Sequence, residues 1–262
     1  MWNWISKLEN LRQAGKPFAI VTVTQCTGSA PRDAGAKMLV LENGKFYGSI
    51  GGGHLEDIAL KDAVQSIEGG KTRTIRYPLG AKTGQCCAGV VELLFEVVNT
   101  GPQLYVFGAG HVGRAVCRTF AGTPFGVHVI DERKEWIESE LLPEEVVRHR
   151  CEWDDFIEEA SWDSERTFVA VMTHRHDVDQ AIIEAVIKRP AKYIGLIGST
   201  SKWTRFQQRM TAKGIGDAGL ARVHCPLGVD TGGKAPQEVA ISLAAEALQV
   251  YYGRGAPERE PS

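Results

Sequence analysis

The residues best suited to chemistry in this 262-residue chain begin with Gly108-Ala-Gly110-His-Val-Gly113, which fits G-x-G-x-x-G. The string follows a predicted strand and opens a predicted helix. In that context glycines permit a tight turn and let backbone approach a pyrophosphate, while the helix N-terminus supplies amide donors and a partial positive charge. Asp131 ends the next predicted strand, 23 positions after Gly108, where a carboxylate can accept from a ribose hydroxyl. Arg133, two residues on, could instead meet a phosphate. Gly108, Gly110, His111, Gly113, Asp131 and Arg133 are therefore candidate ligand contacts. The alternative is a steric strand-to-helix turn in a Rossmann domain that binds nothing.

A second string, Gly84-Gln85-Cys86-Cys87-Ala88-Gly89, places two thiols beside glycines that let a ligand near the backbone. Thiolates are soft nucleophiles and soft metal ligands, suited to molybdenum or to carrying sulfur. The competing reading is two small residues at a strand entrance. Gly51-Gly52-Gly53 precedes a helical run with His54, Glu56 and Asp57 in its first turn. Amides at Gly52 and Gly53 could bind an anion, or the glycines form a steric turn with acids that favour the helix dipole. His174-Arg-His176 follows an apolar strand at the carboxyl edge, where open α/β sheets bind ligands, so His174 is a candidate polar wall of the crevice, or these are simply solvated loop histidines. A zinc site there would need a third ligand, His224 or Cys225, and no spacing matches a structural zinc pattern. The chain has no Gly-x-Ser-x-Gly elbow, and Gly232-Gly233-Lys234 lacks the upstream glycine spacing of a Walker loop.

The elements that must position these residues change character near Asn99-Thr-Gly-Pro102. Before that joint, Trp4, Ile5, Leu8 and Leu11 predict an amphipathic helix stopped by Gly15. Strands are predicted at 18–24, 36–41 and 45–50, the last two joined by an Asn43-Gly44 hairpin turn. A helix over 54–67 stops at Gly69-Gly70, and strands near 72–77 and 89–98 flank the Cys86-Cys87 loop. After the joint, short apolar strands at 104–107, 127–130, 146–148, 168–172 and 193–197 alternate with longer helical patterns, as in a parallel sheet covered on both faces. Asp177, with Gln180 three residues later, predicts a capped helix, and Pro236 suits the first turn of a last helix carrying Val239, Leu243, Ala247 and Val250. The expected class is α/β: an N-terminal α+β domain over 1–99, a Rossmann-like doubly wound parallel-sheet domain over 103–252, and a loose tail over 253–262.

Apolar residues make up 43% and charged residues 24%, enough for a core in each half, and the formal charge of -2 gives no footprint for a polyanion. Nucleic acid is not an expected partner. No secretory signal pattern opens the chain, and no apolar run approaches the roughly 18 residues of a membrane span. A cytoplasmic protein with its six cysteines as thiols is expected.

Taken together, the strings resemble the accessory proteins of xanthine dehydrogenase, a family shared with carbon monoxide dehydrogenase accessory factors. The resemblance covers nearly the whole chain. In the first half it is carried by Gly28-Ser-Ala-Pro-Arg32 with Gly35-Ala-Lys-Met38, by Gly48-Ser-Ile-Gly-Gly-Gly53 with Leu55-Glu56, and by Leu79-Gly80 with Gly84-Gln-Cys-Cys87. Val106-Phe-Gly-Ala-Gly-His-Val-Gly113, Met172-Thr-His-Arg-His176, Ile194-Gly-Leu-Ile-Gly198 and His224-Cys-Pro-Leu-Gly228 with Pro236-Gln-Glu-Val-Ala240 carry it in the second. Where this chain has His54, some members of that family carry cysteine.

The resemblance implies a chaperone, without turnover of its own, that binds the molybdenum cofactor, as molybdopterin or its cytosine dinucleotide form. Such a protein guards the cofactor while a terminal oxygen is exchanged for sulfur and delivers it to apo xanthine dehydrogenase or a related hydroxylase. A cysteine desulfurase is an implied partner, and a homodimer is left open. In that role Gly108, Gly110 and Gly113 would cradle phosphate and Asp131 and Arg133 would meet the nucleotide-like or pterin portion. Cys86 or Cys87, beside Gln85, would approach molybdenum or carry sulfur. The rival readings are a NAD-dependent oxidoreductase, supported by the glycine string with Asp131, and a nucleotide-sensing interaction module.

Overall fold

Period-two patterning organises the first of the two units into which the chain divides, Met1–Thr100 and Gly101–Ser262. The computed structural model describes residues 3–13, 16–79, 89–98 and 101–253. In the first unit, β1 (Phe18–Thr27), β2 (Lys37–Leu41), β3 (Phe46–Gly48), β4 (Arg73–Pro78) and β5 (Val90–Val98) form an antiparallel sheet in the order β3-β2-β1-β5-β4. Val91, Leu93 and Phe95 are buried and Glu92 and Glu96 point to the other face, because successive side chains alternate across a strand. The covering helix α2 (Gly53–Gly69) buries Leu55, Ala59, Ala63 and Ile67 at four-residue spacing, which brings one helical stripe onto the sheet. It stops at Gly70, whose φ of +60° and amide bond to the Ile67 carbonyl are the glycine-terminated ending the sequence predicts. The Asn43-Gly44 turn also forms, with the Leu41 amide donating to the Lys45 carbonyl at 2.9 Å. The opening helix α1 (Asn3–Gln13) lies against β2 and β3.

The second unit is a Rossmann fold. Its strands β6 (Gln103–Phe107), β7 (Gly126–Ile130), β8 (Val147–His149), β9 (Asp163–Val171), β10 (Ala191–Leu196) and β11 (Val223–His224) are parallel and ordered β11-β10-β9-β6-β7-β8. All five residues of β6 are buried: Leu104 and Val106 face one core, Tyr105 and Phe107 the other. That is why the strands read as continuous apolar runs. One core packs beneath α3 (His111–Phe120), the short α4 (Lys134–Ile137) and α9 (Pro236–Tyr251), the other beneath α5 (Trp153–Glu159), α6 (His176–Val186), α7 (Thr200–Ala212) and the short α8 (Asp217–Leu220).

The chain winds outward in both directions from the β6–β9 pair, so the topological switch point lies between these strands. Phe107 pairs with Ile130 of β7 and with Val171 of β9, which sets the turns after all three strands side by side at the carboxyl edge.

Two local expectations change. Arg175, not Asp177, is the N-cap of α6, and Asp177 lies in its first turn. The entry is held by the buried Asp179, which accepts from the Thr173 amide at 3.0 Å and hydroxyl at 2.6 Å and from Lys202 Nζ at 2.7 Å. Strand β11, two residues at the sheet edge, is too short to show any periodicity. It is anchored instead by Glu246 of α9, only 2% exposed, which accepts from Tyr193 Oη of β10 at 2.6 Å, the Gly228 amide at 2.6 Å and His224 Nδ1 at 2.9 Å.

Burial raises the Glu246 pKa, but the bonds from His224, Tyr193 and Gly228 outweigh it and hold the carboxyl below its ordinary 4.5. A folded-state pKa below the unfolded one adds stability that is complete above the unfolded value and lost as pH falls through the lower folded value. Glu246→Ala removes the acceptor shared by buried Tyr193 and Gly228 and half-buried His224, and chemical denaturation is expected to show a loss of roughly 3 kcal/mol at neutral pH. Glu246→Gln should flatten the acid limb of the stability profile.

Candidate functional site

The glycine turn between β6 and α3 is built by close approach at two positions and left open at a third. Gly108 has φ +111°, and a Cβ there would stand 2.5 Å from the Met172 carbonyl oxygen. A Cβ on Gly113 would run into the carbonyl oxygen of Gly108 itself, so α3 can start this close to the strand only with glycine at that site. Gly110, the N-cap of α3, has ordinary φ of -64°, and a Cβ there would meet nothing within 4 Å. The protein's own packing thus explains Gly108 and Gly113 but not Gly110. Its absent side chain faces open space at the N-terminus of a ten-residue helix, where amide donors and the helix dipole favour an anion.

Neighbouring strands pin the turn from both sides. The Gly108 amide donates to the Ile130 carbonyl of β7, and the Met172 amide donates to the Phe107 carbonyl of β6, each at 2.9 Å. Asp131 completes the frame from β7: Oδ2 accepts from the Ala109 amide at 2.8 Å and Arg133 Nη2 at 2.7 Å, and Oδ1 from the Arg133 amide at 3.1 Å and Nε at 2.9 Å. Burial raises the Asp131 pKa, but Arg133 and the Ala109 amide outweigh that and keep the group well ionised. A carboxylate has about four acceptor sites, and four donors occupy this one. The ribose contact expected of Asp131 would therefore require one of these bonds to be exchanged.

Arg133 lies over the Trp136 ring, 5.1 Å from its centroid, and Arg114 of α3 lies 4.6 Å from it. His111 meets the same ring edge-on and its Nδ1 is 3.2 Å from Arg114 Nη2. The structure thus gathers Gly108, Gly110, His111, Gly113, Asp131 and Arg133, and adds Arg114 and Trp136, which the motif does not announce. Arg114 could have been found as the residue three positions after His111 on one helix face. Trp136 carries no sequence signal beyond its aromatic character.

On the side of the turn facing β7 and β8 lies a cavity of about 210 Å³, reached by His174 and also lined by Cys151, Glu152, Trp153 and Glu132. His174, itself exposed, is among the residues on the cavity wall. Cys151 follows β8 at the same edge; desolvation, and then Asp155 and Glu159, push its thiol pKa up, so it is held as a neutral thiol. Arg175 pairs with Asp177 in the α6 first turn.

In the first unit the Gly51-Gly52-Gly53 turn is occupied by the protein itself. Glu56 Oε1 accepts from the amides of Ile50, Gly51 and Gly52 and from Ser49 Oγ at 2.6–3.2 Å. The anion these three amides bind is thus the Glu56 side chain, which matches the acid-favouring turn of the two readings offered for Gly52. Gln85, Cys86 and Cys87 lie outside the described residues. Among the described residues no group of three or more His, Cys, Asp or Glu is arranged to hold a metal ion, and no helix is long and apolar enough to cross a membrane.

Comparison with known proteins follows the same division. The family model described as the XdhC Rossmann domain matches residues 104–247, and that described as the XdhC and CoxI family matches residues 11–78. The chain is 31% identical over 252 residues to YqeB of Escherichia coli, covering 95% of this chain and 46% of that one. It is 26% identical over 212 residues to a probable xanthine dehydrogenase subunit of Bacillus subtilis, covering 81% and 56%. Over 97 residues it is 32% identical to PaoD of Escherichia coli, a molybdenum cofactor insertion chaperone, covering 36% and 30%. The chain thus spans about half or less of the length of these relatives. A crystal structure described as a xanthine dehydrogenase from Bacillus halodurans superposes with a TM-score of 0.52 over 98% of both chains at 20% identity, a likeness of fold.

Because the Gly113 constraint is steric and internal while Gly110 is free of it, Gly113→Ala should lower the thermal midpoint by more than about 8 °C, the shift of a loss of several kcal/mol in a domain of this size. Gly110→Ala should stay within about 2 °C of wild type, as a substitution without a clash does. Differential scanning calorimetry reads both; equal shifts would refute this division of roles.

Proposed function

The chain belongs to the XdhC and CoxI family, and we propose that it is a molybdenum cofactor chaperone for xanthine dehydrogenase or a related molybdenum hydroxylase. In this reading it takes up the cofactor, protects it during sulfuration by a cysteine desulfurase, and passes it to the apo-enzyme in the cytoplasm. The observation that supports the reading best is the open space over Gly110, a backbone cradle that a Cβ would fill, at the switch point of a Rossmann sheet. A pterin phosphate matches that cradle in charge and in its need for close backbone approach.

The residues that would hold the cargo are the amides of Gly110 to Gly113, with Arg133 and Arg114, both against the Trp136 ring, contributing positive charge. Asp131 acts one step back, fixing Ala109 and Arg133 in place. His174 contributes from the crevice wall. Cys86 and Cys87 are the soft donors proposed for the metal end, as ligands of molybdenum or carriers of sulfur. The cargo, when bound, supplies the molybdenum centre on which the recipient enzyme depends. The protein supplies amides, cations and exclusion of water.

The strand order would also suit a nicotinamide dinucleotide, so the decisive experiment separates carriage from turnover. Protein expressed with molybdate and purified under native conditions should carry pterin fluorescence and molybdenum, and should not oxidise NADH with candidate substrates. Gly110→Asp, which sets a carboxylate against the incoming phosphate, should cut bound pterin at least about 10-fold, as expected for close like charges, with the fold unchanged. Cys86→Ala with Cys87→Ala should retain pterin and lose sulfuration of the recipient enzyme. Full loading of Gly110→Asp would contradict the reading, and so would steady NADH turnover by the wild type.

A further inference from the structure

The cavity beside the glycine turn has a composition that the phosphate cradle does not explain. Its apolar lining includes Phe107 and Ile130, at the ends of β6 and β7, and Ile182 of α6, all at most 2% exposed, together with Val178 and Trp153. Glu132 and Glu152 also line it, with Arg175, whose guanidinium is paired with Asp177. The cavity touches the turn itself through Gly108, and Asp131 at the end of β7 also lines it. At about 210 Å³ it is smaller than the roughly 300–1,000 Å³ of pockets that enclose a drug-sized ligand, so it suits one ring system with part of a sugar.

Charge decides which part of a ligand can enter. A phosphate between Glu132 and Glu152 would face two acids, whereas the turn next door offers amides and guanidinium groups. A neutral planar heterocycle loses no charge solvation against Phe107, Ile130 and Ile182, and its amino group, like a sugar hydroxyl, is a donor that carboxylates accept. Asp131, at the usual position for the hydroxyl acceptor, has all four of its acceptor sites filled. The hydroxyl contacts must then come from other groups, and Glu132 and Glu152 are the carboxylates on the cavity with capacity to make them.

We propose that this cavity is a nucleoside subsite, that Glu132 and Glu152 rather than Asp131 accept from the nucleoside, and that the preferred ligand is therefore a nucleoside joined through a pyrophosphate to whatever the turn holds. The proposal rests on the phosphate reading of the 108–113 turn and deepens it. For a pterin cargo, it selects the dinucleotide form over the plain one.

The test is isothermal titration calorimetry on the full chain freed of carried ligand, with inorganic pyrophosphate, ADP and CDP as probes. Both nucleoside diphosphates, or one of them, should bind at least about 10-fold tighter than pyrophosphate, and the preference between ADP and CDP identifies the base. Glu132→Gln with Glu152→Gln should reduce that advantage to less than about 3-fold while leaving pyrophosphate affinity unchanged. Val178→Trp, which fills the cavity without touching the carboxylates, should do the same. Equal affinity for pyrophosphate and both nucleotides would overturn the nucleoside subsite and leave the phosphate reading standing. Absence of binding by all three would overturn both.

Discussion

A single buried carboxylate shapes the ligand-facing edge of the Rossmann unit. Asp131 leaves the end of β7, receives the Ala109 amide from the glycine turn and grips the guanidinium of Arg133. Burying an ionised group is costly unless every lone pair finds a donor, and here all four do. The turn therefore sits at a defined height above the sheet, and Arg133 is presented to the same Trp136 ring that Arg114 approaches. The same saturation withdraws Asp131 from direct contact with a ligand. In the proposed binding mode it is a positioning residue, and the hydroxyl-binding task moves to Glu132 and Glu152.

The sheet beneath was legible because its signals are repetitive. Short apolar strands alternating with longer amphipathic helices leave few topologies, and Phe107, Ile130 and Val171 end their strands in register as a parallel sheet requires. Helix ends are legible only where one residue type carries them. The Gly69-Gly70 stop is a backbone requirement visible in one residue type. The start of α6 depends instead on Asp179, six positions from the Thr173 it holds and bonded to Lys202 from another helix. A contact made across elements leaves no local pattern, so Asp177 was the more visible candidate. Strand β11 was unreadable for a similar reason: its anchor, Glu246, lies 22 residues downstream of His224.

The site divides the same way. The glycines and Asp131 were recognisable by spacing, but that Asp131 is saturated, that Gly110 alone faces open space and that Cys151 and Glu152 reach the cavity follow only from three-dimensional placement. In the first unit the Gly51-Gly52-Gly53 turn presented two readings of equal standing in the sequence. The side chain of Glu56, four residues after Gly52, supplies the anion. Family membership bears on the proposed cargo, and the geometry of the turn bears on how a phosphate would be held.

The central claim is that the amides of Gly110 to Gly113 receive a phosphate. Backbone amide chemical shifts, followed by nuclear magnetic resonance while inorganic pyrophosphate is added to the isolated protein, read those groups one by one. The account predicts saturable downfield movement of the Gly110, His111, Val112 and Gly113 amides, with the Gly51 and Gly52 amides, already held by Glu56, unmoved. Movement at Gly51 and Gly52 with a silent 108–113 turn would contradict it.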